Sequence, residues 1–172
     1  MQHVDPHALR QAFGSFMTGV TVVTARSDDG TPVGFTANSF SSVSLDPPLL
    51  LVCPGKTLSS YATFANCTQF AVNILSEGQE KIANIFAGHK GDRFALVPHQ
   101  LDLHGVPLIT DAASQFSCTR YQALPMGDHC ILIGQVVAVS HNGQPGLGYS
   151  DGQYLKISRD TATPGQDLSE RT

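Results

Sequence analysis

Between Gly19 and Leu45 the chain reads GVTVVTARSDDGTPVGFTANSFSSVSL, two runs rich in Val, Thr, Phe and Ser on either side of Ser27-Asp28-Asp29-Gly30. β-Branched and aromatic residues favour extended backbone, and a short Asp/Gly break between two such runs is a hairpin signal, so these runs are expected to pair antiparallel. The same grammar recurs down the chain. Asp46-Pro47-Pro48 turns the backbone into LLLVC, read as a fully buried strand, and QFAVNIL, Ser114 to Leu124, Cys130 to His141 and QYLKI follow as further strands. Strands divided by tight turns, with few helical stretches between them, argue against alternating βαβ units. They predict a mainly β fold, an antiparallel barrel with a few short helices.

Three helices are expected. Asp5 caps the first, with Pro6 at its first position and a Val4 to Leu9 staple; Ala8, Leu9, Ala12, Phe13 and Phe16 give it one apolar face and carry it to about Phe16. Thr57, Leu58, Tyr61, Ala62 and Ala65 fit a second, and SEGQEKIANIFAG a third, with a Ser76 to Gln79 capping box and Gly88 as its stop. At 172 residues the chain is one domain by length. The folded part is expected over 1–157, and 158–172, which has almost nothing to bury, is expected to be a disordered tail.

Charge narrows the partners. Charged residues make up 14% of the chain, against an average of about 25%, so part of the surface is expected to be covered by self-association. Lys and Arg number 10 against 14 Asp and Glu, with no basic run, which disfavours nucleic acid and anionic membranes. No run reaches the roughly 18 apolar residues of a membrane span, and the polar start MQHVDPHALRQAF lacks the apolar core of a leader, so a cytoplasmic protein is expected. Cys53, Cys67, Cys118 and Cys130 form no Cys-x-x-Cys pair and read as buried free thiols. His3 and His7 lack a third ligand, so no metal site is expected. PGKT at 54–57 and GQPGLG at 143–148 fail the spacing of phosphate- and dinucleotide-binding loops.

One stretch resists a purely structural account. Thr36, Asn38, Ser42 and Ser44 share a face by period two, with Ser39 and Ser41 on the other, and not one charge interrupts Thr36 to Ser44. The polar face of a solvated strand usually carries Lys, Glu or Arg. A neutral row of donors and acceptors suits a planar, multiply polar heterocycle such as isoalloxazine.

GFTANSFSSVSLDPPLLLVC, then FAVNIL, FAGHKGDRF and MGDHCILIGQVVAV, in that order, resemble the flavin reductase family: short-chain, FMN-binding split-barrel reductases that supply reduced flavin to two-component monooxygenases. The likeness runs from about Leu9 to Ile157. It implies a split β-barrel, FMN or FAD as the flavin, NAD(P)H as hydride donor, a homodimer with flavin at the interface, and a separate monooxygenase as partner. On this chain it implies that Thr36, Ala37 and Asn38 meet the ring edge, that Ser39 is among the cofactor-binding residues, and that Ser41 and Ser42 reach the ribityl chain or phosphate. Cys53 would lie beside the ring, Lys56 and Ser59 would start a helix facing a phosphate, and Arg93 and Phe94 would come from a flavin-contacting loop. Tyr154 would be a ring neighbour, and His129 would bind the nicotinamide nucleotide. Two alternatives stay open: a flavoprotein that keeps its FMN and reduces another acceptor, and a non-catalytic split barrel that binds flavin or haem.

Overall fold

The computed structural model describes residues 4–157, so the expectation for 158–172 lies outside the described residues. Asp5 caps α1 (Pro6–Gly14), its carboxylate accepting from the amides of His7 and Ala8. A seven-stranded sheet follows, from β2 (Thr21–Arg26), β3 (Pro32–Ala37), β4 (Ser41–Leu45), β5 (Pro48–Val52), β6 (Gln69–Ile74), β9 (Ser114–Met126) and β10 (His129–His141). Its order is β3-β2-β6-β9-β10-β5-β4, and its neighbours pair antiparallel. Two small sheets complete the β structure: β1 (Thr18–Gly19) with β11 (Gly148–Ser150) and β12 (Gln153–Leu155), and β7 (His99–Leu101) with β8 (Pro107–Ile109). The helices between them are α2 (Tyr61–Asn66) and α3 (Glu80–Gly88).

β3 and β4 are consecutive in the chain yet lie at opposite edges of the sheet. The sheet therefore curls, and Asn38-Ser39-Phe40 carries the chain across the seam between its edges. Ser39 Oγ accepts from the Cys53 amide at 2.9 Å, and Phe40 stacks on Phe116 with centroids 5.9 Å apart, so both fasten this crossing. Inside the curl sits one core, centred on Val23, Phe35, Val52, Phe64, Phe70 and Leu132. A second core, with Val22, Leu75, Phe86, Phe94, Ile109 and Leu147, fills the space between the outer face of β2 and α3. Residues 21–25 of β2 alternate between the two and are all buried, as expected of a strand covered on both faces.

α3 lies directly on β3 because Gly34 has no side chain: a Cβ there would fall 2.7 Å from Phe86 Cε1 and 3.2 Å from the Val23 carbonyl oxygen. Gln79 and Ser76 make half of the expected capping box. The Gln79 Oε1 accepts from the Ser76 amide at 3.0 Å, but the Ser76 hydroxyl donates to the Asp111 carbonyl at 2.9 Å instead of capping α3.

Several expectations need correction. The polar run Thr36 to Ser44 is not one strand: the bend at 38–40 and a register shift between Ser42 and Ser44 break its two-residue period. The LLLVC strand is not fully buried, since Leu49 and Leu51 are half-buried on the outer face while Leu50 and Val52 point into the core. The second helix starts at Tyr61 with Ser60 as its N-cap, so Ser59 stands one residue before the cap and Lys56 lies in the preceding turn. α1 ends at Gly14, short of Phe16, and buries none of its residues; Leu9, Phe13 and Phe16 are all exposed, and so is the Val4 of the expected staple. The strands β1, β7, β8 and β11 had no expectation at all.

Candidate active site along the barrel seam

β3 is an edge strand, and its outer side, flanked by α3, is bordered by two openings. At its C-terminal end a 250 Å³ cavity is lined by Thr36, Ala37 and Asn38 from the seam, by Tyr149 and Tyr154 from β11–β12, and by Ala87 from α3. No ionisable acid or base other than the tyrosines faces it. Thr36 Oγ1 donates to the Ala83 carbonyl at 2.6 Å, which ties β3 to α3, and Thr21 Oγ1 donates to the Ala37 carbonyl at 2.9 Å. Tyr149 and Tyr154 face each other across the β11–β12 pair with centroids 5.5 Å apart, and the Tyr154 hydroxyl donates to Asn84 Oδ1 at 2.8 Å. Burial, with help from Tyr149 and Glu80, holds the Tyr154 phenol above its usual range, so it stays protonated and neutral near pH 7. A neutral floor with aromatic walls is a seat for a flat polar ring.

At the other end of β3 a 620 Å³ cleft runs past Gly34 between the Ser59-Ser60 turn and the loop after α3, which contributes His89, Lys90 and Arg93. Arg93 bolts this loop to the strand: Nη1 donates to the Gly34 carbonyl at 2.7 Å and Nε to the His89 carbonyl at 2.9 Å. The lining also holds the Thr31, Ser59 and Ser60 hydroxyls and the Asp92 carboxylate, whose Oδ1 accepts from the Phe94 and Ala95 amides; with Lys90 and Arg93 outnumbering that one acid, the cleft suits an anionic group such as phosphate. Gly34 and Ala37 are three residues apart, about 10 Å along an extended strand.

The sequence-derived candidates therefore divide. Thr36, Ala37, Asn38 and Tyr154 come together at the neutral cavity; Ser59, Arg93 and Phe94 come together at the cationic cleft. Phe94 contributes only an edge there, because its ring belongs to the second core, 5.1 Å from that of Phe86. Ser39 is spent on the seam, and the exposed Ser41 and Ser42 sit on β4, lining neither opening. Cys53 is half-buried, its thiol pushed upward chiefly by burial, which leaves it protonated and unreactive.

Lys56 and His129 form a third group, at the tip of the β9–β10 hairpin. Gly127 takes φ 57° and Asp128 completes a two-residue turn, so His129 opens β10 opposite Met126. The tip is stitched to the end of β5. Lys56 Nζ donates to the Gly127 carbonyl at 2.6 Å, the Lys56 amide to the Asp128 carbonyl at 2.8 Å, and the Cys130 amide to the Pro54 carbonyl at 3.0 Å. His129 Nδ1 lies 2.7 Å from Asp128 Oδ1, and that hydrogen bond holds the exposed Asp128 carboxyl below its usual range. With Nδ1 engaged, Nε2 is the ring nitrogen left for a ligand. His129 lines neither opening of its own chain.

Sequence reasoning missed Tyr149, Ala87, Ser60, His89 and Lys90. Tyr149 carried a signal, since two tyrosines flank the Asp151-Gly152 turn at opposed strand positions. His89 and Lys90 lie in the FAGHKGDRF loop that the resemblance puts at the flavin, whereas Ala87 and Ser60 are brought in by the fold.

Fold and site together define a split-barrel domain with a neutral, tyrosine-walled cavity and a larger cleft bearing Lys90 and Arg93 along one strand edge. The sequence profile described as "Flavin reductase like domain" matches residues 13–158, and the chain belongs to that family. It is 56% identical over 147 residues to the reductase component of the flavin-dependent trigonelline monooxygenase of Acinetobacter baylyi, covering 86% of this chain and 47% of that protein. It is 40% identical to an FMN reductase (NADH) of Agrobacterium fabrum, covering 90% of this chain and 88% of that protein. The solved NADH:FAD oxidoreductase of Streptomyces globisporus, in complex with NAD and FAD fragments, superposes with a TM-score of 0.86 at 39% identity, covering 94% of this chain and 99% of that one. The chain spans about half the length of some curated relatives, 47% of the trigonelline enzyme's reductase among them. No helix among the described residues is long and apolar enough to cross a membrane.

Proposed function

We propose that the chain is an NAD(P)H-dependent flavin reductase that delivers reduced FMN or FAD to a separate monooxygenase and works as a homodimer. One observation carries this reading: a neutral, tyrosine-walled cavity at Thr36–Asn38 and a cation-bearing cleft at Gly34 lie on the same strand edge, separated by about the reach of a ribityl chain. The bound flavin supplies the hydride-accepting ring. The protein's work is placement, because holding donor and acceptor rings face to face at about 3–3.5 Å removes much of the entropic barrier. Thr36, Ala37 and Asn38 fix the ring edge without a fixed charge beside it, and Ser59, Lys90 and Arg93 hold the phosphate. The cysteines have no part in the chemistry, since burial keeps their thiols protonated.

The homodimer reading rests on two features. Leu49, Leu51, Ile131 and Ile133 line the outer face of β5 and β10 only half-buried, beside the exposed Val137 and Val139, an apolar face that a second copy would cover. His129 stands at an exposed hairpin tip away from its own chain's cavities, so in a two-fold pair the partner subunit's His129 would close over the ring and meet the nicotinamide side.

Steady-state NADH oxidation with and without added FMN tests the activity, and a wild type that turns over neither FMN nor FAD refutes it. His129→Ala is expected to raise the KM for NADH severalfold with flavin affinity within about twofold. Equal loss of both would make the side chain structural.

A further inference from the structure

The tyrosine wall of the neutral cavity is carried by a thin piece of structure. β12 is three residues long and outermost in the sheet β1-β11-β12, so β11 is its one strand neighbour. Behind it β11 is well anchored. Leu147, just ahead of β11, donates its amide to the Leu75 carbonyl at 2.8 Å and accepts from the Val20 amide at 3.0 Å, while Tyr149 and Gly148 pair with Thr18 and Gly19. Across the cavity from β12 lies α3, itself tied to the seam strand by Thr36 on the Ala83 carbonyl.

Side chains alone bridge β12 to α3. Among the described residues two polar contacts do so: the Tyr154 hydroxyl donates to Asn84 Oδ1 at 2.8 Å, and beyond the strand end Lys156 Nζ lies 3.3 Å from Oε1 of Glu77, ahead of the helix. Lys156 is 75% exposed, and an ion pair so open to water fastens little. The Tyr154–Asn84 bond is the stronger tie. Asn84 has no other evident reason to be there, because it stands exposed within α3, where alanine would favour the helix more. It lies one turn before Ala87, which lines the cavity. At 250 Å³ that cavity is smaller than ordinary small-molecule sites, about 300–1,000 Å³, so a wall that yields would ease the passage of a flavin ring.

We propose that β12 is a latched flap on the neutral cavity: Asn84 is a positioning residue that holds Tyr154 closed against α3, and release of their hydrogen bond admits flavin and lets reduced flavin leave. The proposal rests on the reductase reading above. It has a kinetic signature. Flavin crosses the same gap entering and leaving, so a latch governs both rates, whereas a lost ligand contact speeds release alone.

Stopped-flow mixing of the full chain with FMN, and in parallel with FAD, gives both rate constants from the flavin fluorescence. Asn84→Ala removes the acceptor at a position that suits alanine, and Tyr154→Phe removes the hydroxyl but keeps the ring. Each is expected to raise association and dissociation about fivefold, the size of one net hydrogen bond, with Kd held within about twofold. The double variant should go no further than either single one, since both remove the same bond. Circular dichroism and the melting temperature establish that each variant folds, and either single variant is enough for the test. Faster dissociation with unchanged association would make the hydroxyl an ordinary ligand contact. Unchanged rates, or effects that multiply in the double variant, would make the bond incidental to flavin exchange. Each of these results overturns the latch and leaves the reductase reading intact, whereas a wild type that neither binds nor reduces FMN or FAD overturns both.

Discussion

Replacing Gly34 with alanine tests the contact that sets α3 against β3. The new methyl would lie 2.7 Å from Phe86 Cε1, 3.0 Å from Cδ1 and 3.2 Å from the Val23 carbonyl oxygen. Ordinary carbon contacts lie at about 3.5–4.0 Å, so the ring must retreat by roughly 1 Å. Phe86 is only 1% exposed and its ring is braced edge-on by Phe94 at 5.1 Å, so it cannot swing aside cheaply. Overpacking of this kind costs about 1–3 kcal/mol, and relief of glycine's backbone entropy returns up to about 1 kcal/mol, for a net loss of about 1–2 kcal/mol. For a chain of this size that is a melting temperature lower by about 2–8 °C, with an unchanged urea m-value. All samples must share one protein concentration, since a dimer's melting point depends on it. Gly88→Ala is the control: nothing lies within 4 Å of a Cβ at the end of α3, and helix propensity favours alanine, so its effect should be nil or stabilising. A double-mutant cycle with Phe86→Leu should show a coupling of at least about 0.5 kcal/mol in the relieving direction. Gly34→Ala as stable as the parent, or a cycle without coupling, would refute the close approach and with it the account of how α3 comes to flank the cleft.

Asn73 is fully buried, its amide donating to the Val22 carbonyl and its carbonyl accepting from Ile109, both at 2.9 Å, so Asn73→Leu strands two backbone groups and should cost about 2–4 kcal/mol in urea unfolding. Burial raises the Cys67 thiol to about 11, against the pull of Arg120, and the Cys118 thiol to about 12. At pH 8 the thiolate fraction of a group titrating near 11 is about one part in a thousand, so alkylation of Cys67 in the native protein should run at least about 100-fold slower than that of a free thiol. Because both folded values lie above the unfolded one, the stability these thiols confer is intact below about pH 8.5 and drains away as pH rises towards 11 and 12. Urea midpoints should fall across that range, and less steeply in Cys118→Ala.

Local chemistry made part of this molecule readable from its sequence. Asp5-Pro6 caps a helix wherever it stands, Ser27 to Gly30 closes a hairpin with no help from the rest of the chain, and the long alternations after Ser114 and Cys130 pair as expected. The curl of the sheet was not readable. A two-residue period runs unbroken through Thr36 to Ser44 on paper, and only the Ser39 to Cys53 hydrogen bond and the Phe40–Phe116 stack, both long-range, reveal a crossing at 38–40. The site divides the same way. Thr36, Ala37 and Asn38 stood out by their want of charge, whereas Lys90 and Ser60 meet across a cleft because α3 and the 55–60 turn flank one strand edge. α1's apolar stripe was visible as a pattern, but not that none of it would be buried.

The three hydrogen bonds that tie Lys56 and Pro54 to the Gly127–Cys130 tip make two distant stretches of chain behave as one solid part. A long two-stranded ribbon alone would sway at its end, and a histidine mounted there would sample many poses. Riveted to the exit of β5, the imidazole inherits the stiffness of the barrel wall. Whatever meets it encounters a fixed post instead of a waving arm.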